Sequence, residues 1–206
     1  MSGNLSSSEE LLKKEICEAM RNLFLKKLVS GLGGNVSARA GDEGEFWITP
    51  SGVFKGSLRP EDLVKINLEG KVLEGRFKPS SEWRAHAAIY RVRPDVKAIA
   101  HSHNPVTVGL VSAGHSLEPV SVEAVAIVGK VETVPYAPAG SEKLAELVGE
   151  QAKTGVKALI LENHGVIAMG ATPYEAESIA EAIEEIAIIQ FTSLALGVKP
   201  TPITKL

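Results

Sequence analysis

The sequence predicts an α/β protein in which helices cover a central, mostly antiparallel sheet. Apolar residues recur at helical spacing near both ends of the chain, short β-like runs follow the first helix, and strands alternate with helices in the second half. A chain of 206 residues that is 44% hydrophobic is long enough for one sizeable core and short for two. We therefore expect a single domain over residues 1–206, with a core from about 8 to 197 and a short tail over 198–206.

The first predicted element is a helix that starts with a capping box. Ser7 is followed three residues later by Glu10, and apolar residues then recur at helical spacing, namely Leu11, Leu12, Ile16, Met20, Leu23 and Phe24. We expect this helix to end near Gly31.

An antiparallel meander is predicted next. The β-like runs are 35–39, 45–49 and 63–67. Glu69-Gly70 is typical of a hairpin turn and precedes a further run over 71–73.

Helices and strands then alternate to the end of the chain. We expect a helix from about Ser80 to Arg91, a strand over 96–101, and a helix that starts at Asn104-Pro105. The remaining predicted elements are a strand over 131–136, a helix capped by Ser141, a strand over 156–162, and a long helix over 173–196 with a capping box at Thr172 and Glu175 and a stop at Gly197.

Composition excludes several classes of function. The formal net charge is −3 and no run of five or six basic residues occurs, so we expect no binding to nucleic acid or to an anionic membrane. The longest apolar stretches, such as Ala124–Val128, are far shorter than a membrane span, and no secretory signal is recognisable. The lone Cys17 is interpreted as a small buried hydrophobe. We expect a cytoplasmic protein whose partners are small molecules.

The clearest chemical signal is the pair His101 and His103. Two imidazoles that are two residues apart on an extended backbone project from one face and can reach one metal ion. The alternative is a pair of surface or hydrogen-bonded histidines at a strand end, so the other histidines have to decide.

His164 is the best candidate for a third ligand, because it follows a buried strand and precedes a glycine turn. Glu162 and Asn163 are placed to orient its ring. His86 is interpreted as a core histidine and His115 as a residue of a surface loop, so both are left out of the ligand set.

Three neutral imidazoles leave one position on a Zn²⁺ ion open, which is typical of a catalytic site, and we expect one zinc per chain. Glu82 is the carboxylate placed there, in the first turn of the helix that follows Ser80-Ser81. The alternative is that Glu82 only complements the helix dipole.

Three further segments favour an anion. Gly31–Ser37 permits close backbone approach, Thr49–Gly52 offers a hydroxyl and a turn, and Ser80-Ser81 places hydroxyls at a helix start. The alternative is that all three are ordinary turns, and the glycine-rich stretch matches neither a P-loop nor a dinucleotide-binding motif.

Five motifs in fixed order resemble the class II aldolase/adducin family, most closely its fuculose-1-phosphate aldolase branch. The likeness runs from about Leu11 to Leu196 and rests on Gly34–Arg39, Ile48–Gly52, Pro79–Arg84 followed by His86, His101–His103, and Asn163–Gly165.

The resemblance implies a zinc-dependent carbon–carbon lyase that reversibly cleaves a ketose 1-phosphate to dihydroxyacetone phosphate and an aldehyde. It implies that His101, His103 and His164 bind zinc, that Glu82 is the acid/base, and that the substrate phosphate is held by Asn35, Ser51, Gly52, Ser80 and Ser81. It also implies a three-layer αβα fold and a homotetramer.

Rival functions exist within the family and outside its enzymes. A methylthioribulose-1-phosphate dehydratase and a sugar-phosphate 4-epimerase share the metal site, although an Asp is typical of the epimerase at the position of Glu82. A non-catalytic, adducin-like interaction domain is the rival of another class. The family aldolase uses tyrosines on the aldehyde side, and none occurs around Ser121–Val125. Tyr136 is a candidate substitute, but its place in a strand-like run beside Pro135 favours the alternative of a core or interface residue.

Overall fold

The computed structural model describes residues 2–41 and 44–203, with side chains from Ser7 onward. Within these ranges the α-helices are α1 (Ser2–Leu25), α2 (Trp83–Val92), α3 (Pro105–Ser112), α4 (Glu142–Ala152) and α5 (Pro173–Ala195). The last three residues of the predicted tail, 204–206, lie outside the described part of the chain.

All eight described strands belong to one sheet. They are β1 (Asn35–Arg39), β2 (Glu45–Ile48), β3 (Val64–Asn67), β4 (Val72–Glu74), β5 (Ala98–Ser102), β6 (Val131–Val134), β7 (Ala158–Leu161) and β8 (Gly165–Gly170). Their spatial order is β4-β3-β2-β1-β5-β8-β7-β6. Every neighbouring pair is antiparallel except β6 and β7, which are parallel.

Helices pack on both faces of this sheet, and alternate residues of a strand belong to different faces. In β5, Ala98 and Ala100 pack with α1 and α5, whereas Ile99 packs with α2 and α4. The molecule is therefore the predicted three-layer αβα arrangement with a mostly antiparallel sheet.

The predicted limits of the first helix are wrong. Ser7 and Glu10 lie inside α1, which begins at Ser2, so they form no helix start. The helix ends at Leu25 rather than near Gly31, because Lys27 adopts a left-handed conformation with φ 61°. The amides of Lys27 and Leu28 then donate to the carbonyls of Phe24 and Leu23, the bonding pattern of a Schellman cap.

Strand β8, the last of the described strands in chain order, was not predicted. We expected the run over 156–162 to lead into a glycine turn, but the chain reverses within three residues and returns as β8, buried along its whole length. The apolar runs of β7 and β8 are separated by only three residues, so the sequence pattern indicated one strand followed by a turn. The turn at 124–128, which forms a single π-helical segment, was also not predicted.

Other boundaries differ by a few residues. The predicted helix start at Ser80 falls at Trp83, and the predicted strand over 131–136 ends at Val134. The caps of the last two helices are confirmed: Ser141 accepts from the amide of Leu144, and Thr172 accepts from the amide of Glu175. No helix in the described ranges is long and apolar enough to cross a membrane.

Candidate metal centre

The three predicted histidine ligands meet where β5 and the β7–β8 hairpin end. His101 lies in β5, His103 follows the end of that strand, and His164 lies in the tight hairpin turn. His101 shares its face of the sheet with Ile99, which packs against α2, and Glu82 is the residue immediately before that helix. The fold therefore brings the carboxylate and the rings together.

The distances within this group suit a single ion. The ring centroid of His101 lies 5.0 Å from that of His103 and 4.7 Å from that of His164. The centroids of His103 and His164 are 5.5 Å apart. One candidate ligand atom from each histidine and from Glu82 can be chosen so that all lie within 4.8 Å of one another. We refer to these four residues as the His/Glu cluster.

His101 has a ring orientation fixed by the backbone. Its Nδ1 lies 2.9 Å from the carbonyl oxygen of Val166 on the neighbouring strand β8. A carbonyl only accepts, so Nδ1 carries a proton and Nε2 faces the cluster, 3.1 Å from Oε2 of Glu82. This outer hydrogen bond is the kind that orients a metal-binding imidazole.

The other two rings have buried nitrogens without a protein partner. In the described structure, Nε2 of His103 and Nδ1 of His164 make no hydrogen bond. Nε2 of His164 lies 3.2 Å from Oε1 of Glu82. The amide of His103 donates to the carbonyl of Leu28 at 2.7 Å, which ties the ligand loop to the end of α1. Buried nitrogens left without partners are costly, and a bound ion would satisfy them.

Glu82 occupies the N-cap position of α2 rather than its first turn, and its side chain does not cap that helix. Each of its oxygens faces a histidine, and Oε2 also accepts a hydrogen bond from Nδ2 of Asn35 at 3.0 Å. The carboxylate thus faces the His/Glu cluster, and the alternative of a simple helix-dipole residue does not account for its contacts.

The electrostatics of the cluster favour one proton on His101, beside an ionised Glu82. Burial alone would raise the pKa of Glu82, but the charge of His101, the hydrogen bond from that ring and the smaller electrostatic effects of His164 and His86 hold it well below its usual range. Burial also opposes a charged His101, yet Glu82 raises the pKa of that ring. Burial and the neighbouring His101 lower the pKa of His103 to about 4 and that of His164 below its ordinary value. A metal ion would replace the single proton that His101 and Glu82 hold together.

The residues present therefore fit a divalent metal ion. Three imidazoles and a carboxylate form a nitrogen and oxygen donor set, and the rings of His103 and His164 each carry a buried nitrogen without a hydrogen-bond partner among the described residues. The lone Cys17 is not part of the cluster: it lies in α1 and is buried in the core, as predicted.

The hairpin turn that presents His164 is unusually tight. Asn163 adopts φ 55°, and a Cβ added to Gly165 would overlap the carbonyl oxygen of Ser102 on β5. Only glycine allows this close approach of two strands. The prediction that Glu162 orients the His164 ring is wrong, because its carboxylate instead accepts from the amide of Tyr136 at 3.2 Å.

His86 and His115 lie outside the metal group, as predicted. His86 is fully buried on α2, and its Nδ1 lies 2.7 Å from Oγ of Ser37, which in turn lies 2.8 Å from the hydroxyl of Tyr90. Its Nε2 has no partner among the described residues, so it is not a fully satisfied core histidine. Burial and the nearby His101 lower the pKa of His86 to about 3, which keeps the ring neutral.

The three predicted anion segments are neighbours in the structure. The amide of Thr49 donates to the carbonyl of Val36 at 3.0 Å, and its hydroxyl accepts from the amide of Val36 at 3.2 Å. Its carbonyl accepts from the amide of Ser80 at 3.1 Å. Pro50 and Pro79 form an isolated bridge, which places the two turns side by side.

The candidate phosphate residues have different surroundings. Ser51, Gly52 and Ser81 are exposed, whereas Ser80 is buried and its hydroxyl accepts from the amide of Glu82. Asn35 is also buried and its side-chain amide is engaged with Glu82. Of the five, Asn35 and Ser80 contact Glu82 directly, and Ser81 is its neighbour in the chain.

The candidate residues on the aldehyde side lie apart from one another. Tyr136 is 63% exposed on the loop between β6 and α4. The segment around Ser121–Val125 runs into the π-helical turn, and this turn packs against α5 on the opposite face of the sheet from α2.

Comparison with known proteins identifies the family. Residues 14–191 match the model of the Class II Aldolase and Adducin N-terminal domain. The chain is 37% identical over 182 residues to an L-fuculose phosphate aldolase of Methanocaldococcus jannaschii, across 88% of this chain and 97% of the relative. It is 35% identical over 189 residues to a 3-oxo-tetronate 4-phosphate decarboxylase of Haemophilus influenzae, across 89% of each protein.

A solved structure has the same fold. An L-fuculose 1-phosphate aldolase superimposes with a TM-score of 0.86 at 31% identity, over 94% of this chain and 91% of that protein. The resemblance stated from the sequence motifs is confirmed. This chain belongs to the class II aldolase and adducin N-terminal domain family, and it is a lyase.

Proposed function

We propose that this protein is a zinc-dependent class II aldolase that reversibly cleaves a ketose 1-phosphate of the L-fuculose type to dihydroxyacetone phosphate and an aldehyde. The observation that carries the proposal is the His/Glu cluster, with ligand atoms within 4.8 Å of one another, beside three segments suited to an anion. The carbonyl end of a phosphorylated ketose would then bind at the His/Glu cluster, and its phosphate would bind at the anion segments.

His101, His103 and His164 are proposed to hold one zinc ion per chain. When bound, zinc supplies a positive charge that polarises the substrate carbonyl. The hydrogen bond from His101 to Val166 keeps the correct nitrogen available, and the backbone bond from His103 to Leu28 fixes the loop.

Glu82 is proposed to move the proton of the three-carbon product. Its carboxylate is ionised, faces His101 and His164, and is oriented by Asn35. A carboxylate held in this way takes a proton from the product carbon in the synthetic direction and returns it during cleavage. Asn35 thereby acts on Glu82 as well as on the proposed phosphate site.

The proposed phosphate site consists of Asn35, Ser51, Gly52, Ser80 and Ser81. Among the described hydrogen bonds, the amides of Gly52 and Ser81 have no protein acceptor, so both are available to an anion. Ser81 also lies at the N-terminus of α2, where the helix dipole favours negative charge.

Other activities of the family use comparable sites, and the decarboxylase among the relatives shows that chemistry varies at this level of identity. A methylthioribulose-1-phosphate dehydratase and a sugar-phosphate 4-epimerase are therefore the main alternatives. The non-catalytic adducin-like alternative is disfavoured because the His/Glu cluster is intact. Glu82 in place of aspartate supports the aldolase over the epimerase.

The assembly and the compartment are proposed from the exposed apolar side chains and from the single cysteine. A homotetramer is proposed because large apolar side chains remain exposed towards the end of α5 and beyond, at Ile188, Phe191, Leu196 and Val198. A cytoplasmic location is proposed because the one cysteine is free.

A substrate panel tests the proposed reaction. Zinc-loaded protein is incubated with fuculose, rhamnulose and ribulose 1-phosphates and with methylthioribulose 1-phosphate, and dihydroxyacetone phosphate and dehydrated products are measured. We expect dihydroxyacetone phosphate from at least one ketose 1-phosphate. Dehydration of the methylthio sugar without any carbon–carbon cleavage would replace the aldolase by the dehydratase.

A further inference from the structure

Lys55 is a buried lysine that no carboxylate in the described ranges neutralises. Its side chain is 1% exposed, and it lies in a short 3-10 turn, Lys55–Ser57, that packs against α1. No carboxylate of the described residues pairs with its ammonium group, and burial lowers its pKa to about 8. An isolated buried charge is expensive, so a fold has little structural reason to keep it.

The contacts of Lys55 lead to the proposed phosphate site. Its Nζ donates to the carbonyl oxygen of Pro50, the residue immediately before Ser51 and Gly52. Its backbone amide donates to the carbonyl of Gly31 at 2.8 Å. One residue therefore binds two of the three anion segments.

The third segment is connected through Pro50. Pro50 forms a bridge with Pro79, and the amide of Ser51 donates to the carbonyl of Lys78 at 2.9 Å. The buried ammonium group of Lys55 is thus bonded to the backbone of a turn whose next two residues, Ser51 and Gly52, are exposed. An ammonium has three donors, and one carbonyl is the only partner described for it.

We propose that Lys55 is a positioning residue for the substrate phosphate, and that its buried charge acts on the phosphate through the turn at 49–52, to which it is hydrogen-bonded. The inference rests on the phosphate site of the proposed function. A phosphate ester carries close to two negative charges, and a buried cation acts on it with little screening. The ligand class is therefore a phosphate monoester dianion.

A purely structural role makes a different prediction. If Lys55 served only to hold Pro50, its replacement would loosen the turn and lower stability together with phosphate binding. If its charge serves the ligand, a neutral side chain of similar length removes a buried charge, so the folded protein is no less stable while phosphate binding weakens.

The test uses zinc-loaded, full-length protein and inorganic phosphate as the probe. Lys55→Met removes the charge, Lys55→Arg retains it, and Lys71→Met, at an exposed position in the β3–β4 turn, is the matched control. Calorimetric titration gives the Kd for phosphate, and thermal unfolding without phosphate gives stability.

We expect Lys55→Met to unfold at the same or a higher temperature than the wild type and to bind phosphate about tenfold more weakly. Lys55→Arg should stay within about threefold of the wild-type Kd, and Lys71→Met should be unchanged. With a cleaved ketose 1-phosphate, Lys55→Met should raise KM by a similar factor and leave kcat within about threefold.

Unchanged phosphate affinity in Lys55→Met would overturn the proposal, as would a joint fall in stability and affinity that Lys55→Arg does not rescue. Absence of phosphate binding to the wild type would overturn it too. The proposed function fails separately: wild-type protein that binds phosphate through Lys55 but cleaves no ketose 1-phosphate contradicts the aldolase and leaves this inference standing.

Discussion

Lys55 and Glu82 are both largely buried ionisable residues. The surroundings of Glu82 stabilise its charged form, whereas those of Lys55 disfavour its charged form. Glu82 accepts a hydrogen bond from Asn35 and faces two imidazoles, so its ionised form is stabilised despite burial. Lys55 donates to one carbonyl and has no carboxylate partner in the described ranges, so burial lowers its pKa. One charge belongs to the proposed metal site and the other is bonded to the turn at 49–52 of the proposed phosphate site.

The lowered pKa of Lys55 predicts a pH-dependent stability difference. The folded pKa is about 8 and the ordinary value is 10.5, so between these values the unfolded chain holds a proton that the folded chain has released. The free energy of unfolding of the wild type therefore rises with pH across this window. At pH 7 the full penalty is present, and we expect Lys55→Met to be more stable by about 2 kcal/mol.

Urea unfolding of wild type and Lys55→Met at pH 7, 8, 9 and 10 measures this difference, with Lys71→Met as the control for other titrating groups. The stability advantage of Lys55→Met should shrink steadily from pH 8 to pH 10. A difference that does not change with pH would show that Lys55 has the same pKa in the folded and unfolded chain.

Glu82→Gln separates proton transfer from metal binding. The amide is nearly isosteric and keeps an oxygen towards the cluster, but it cannot take up a proton, so we expect activity to fall by at least about a hundredfold. Zinc content should stay close to that of the wild type, because three histidines remain. Glu69→Gln, at an exposed turn position, is the control. Retained activity, or complete loss of zinc, would contradict the role given to Glu82.

The β7–β8 hairpin shows how one element positions the site. Gly165 lets the hairpin approach β5 closely at Ser102, which lies between His101 and His103. This close approach brings His164, the proposed third ligand, near the two proposed ligands on β5 and just after it. Any side chain at this position would push the strands apart and move His164 away from His101.

We therefore expect Gly165→Ala to lower the free energy of unfolding by about 2 kcal/mol or more and to reduce zinc binding. Gly109→Ala is the matched control: Gly109 lies inside α3 with open space around it, and alanine favours helix there by about 1 kcal/mol. Chemical unfolding and metal content of both variants test this. Normal zinc content in Gly165→Ala would show that the hairpin tolerates displacement.

Elements with their own local signals could be predicted from the sequence. Ser141 and Thr172 cap the helices that follow them because the capping bond lies within three residues. The end of α1 could not be predicted, because Lys27 takes the left-handed position that glycine usually fills. Strand β8 was missed since its separation from β7 depends on pairing with β5, a long-range contact.

The candidate site was predictable in its residue types and less so in its connections. Spacing places His101 and His103 on one face, and the strand end suggested His164. The pairing of Glu82 with two histidines, the partnerless nitrogen of His86 and the burial of Lys55 arise only when distant segments pack together. A lysine after a turn reads from sequence as an ordinary surface residue.

At the scale of the whole molecule, the sheet connects the His/Glu cluster with the anion segments. Strand β1 pairs with β5, which places Asn35 opposite His101, and β2 leads into the turn at 49–52. The His/Glu cluster and the anion segments are thus fixed to neighbouring strands of one sheet, as a site for a substrate with a carbonyl and a phosphate requires.

The metal content of the native protein tests the central claim most directly. Full-length protein is purified without chelator, incubated with zinc, freed of loosely bound ions, and analysed for metal per chain. We expect about one zinc per chain, because the His/Glu cluster is one three-histidine site. Folded protein that remains free of zinc under these conditions would contradict the proposed zinc-dependent function.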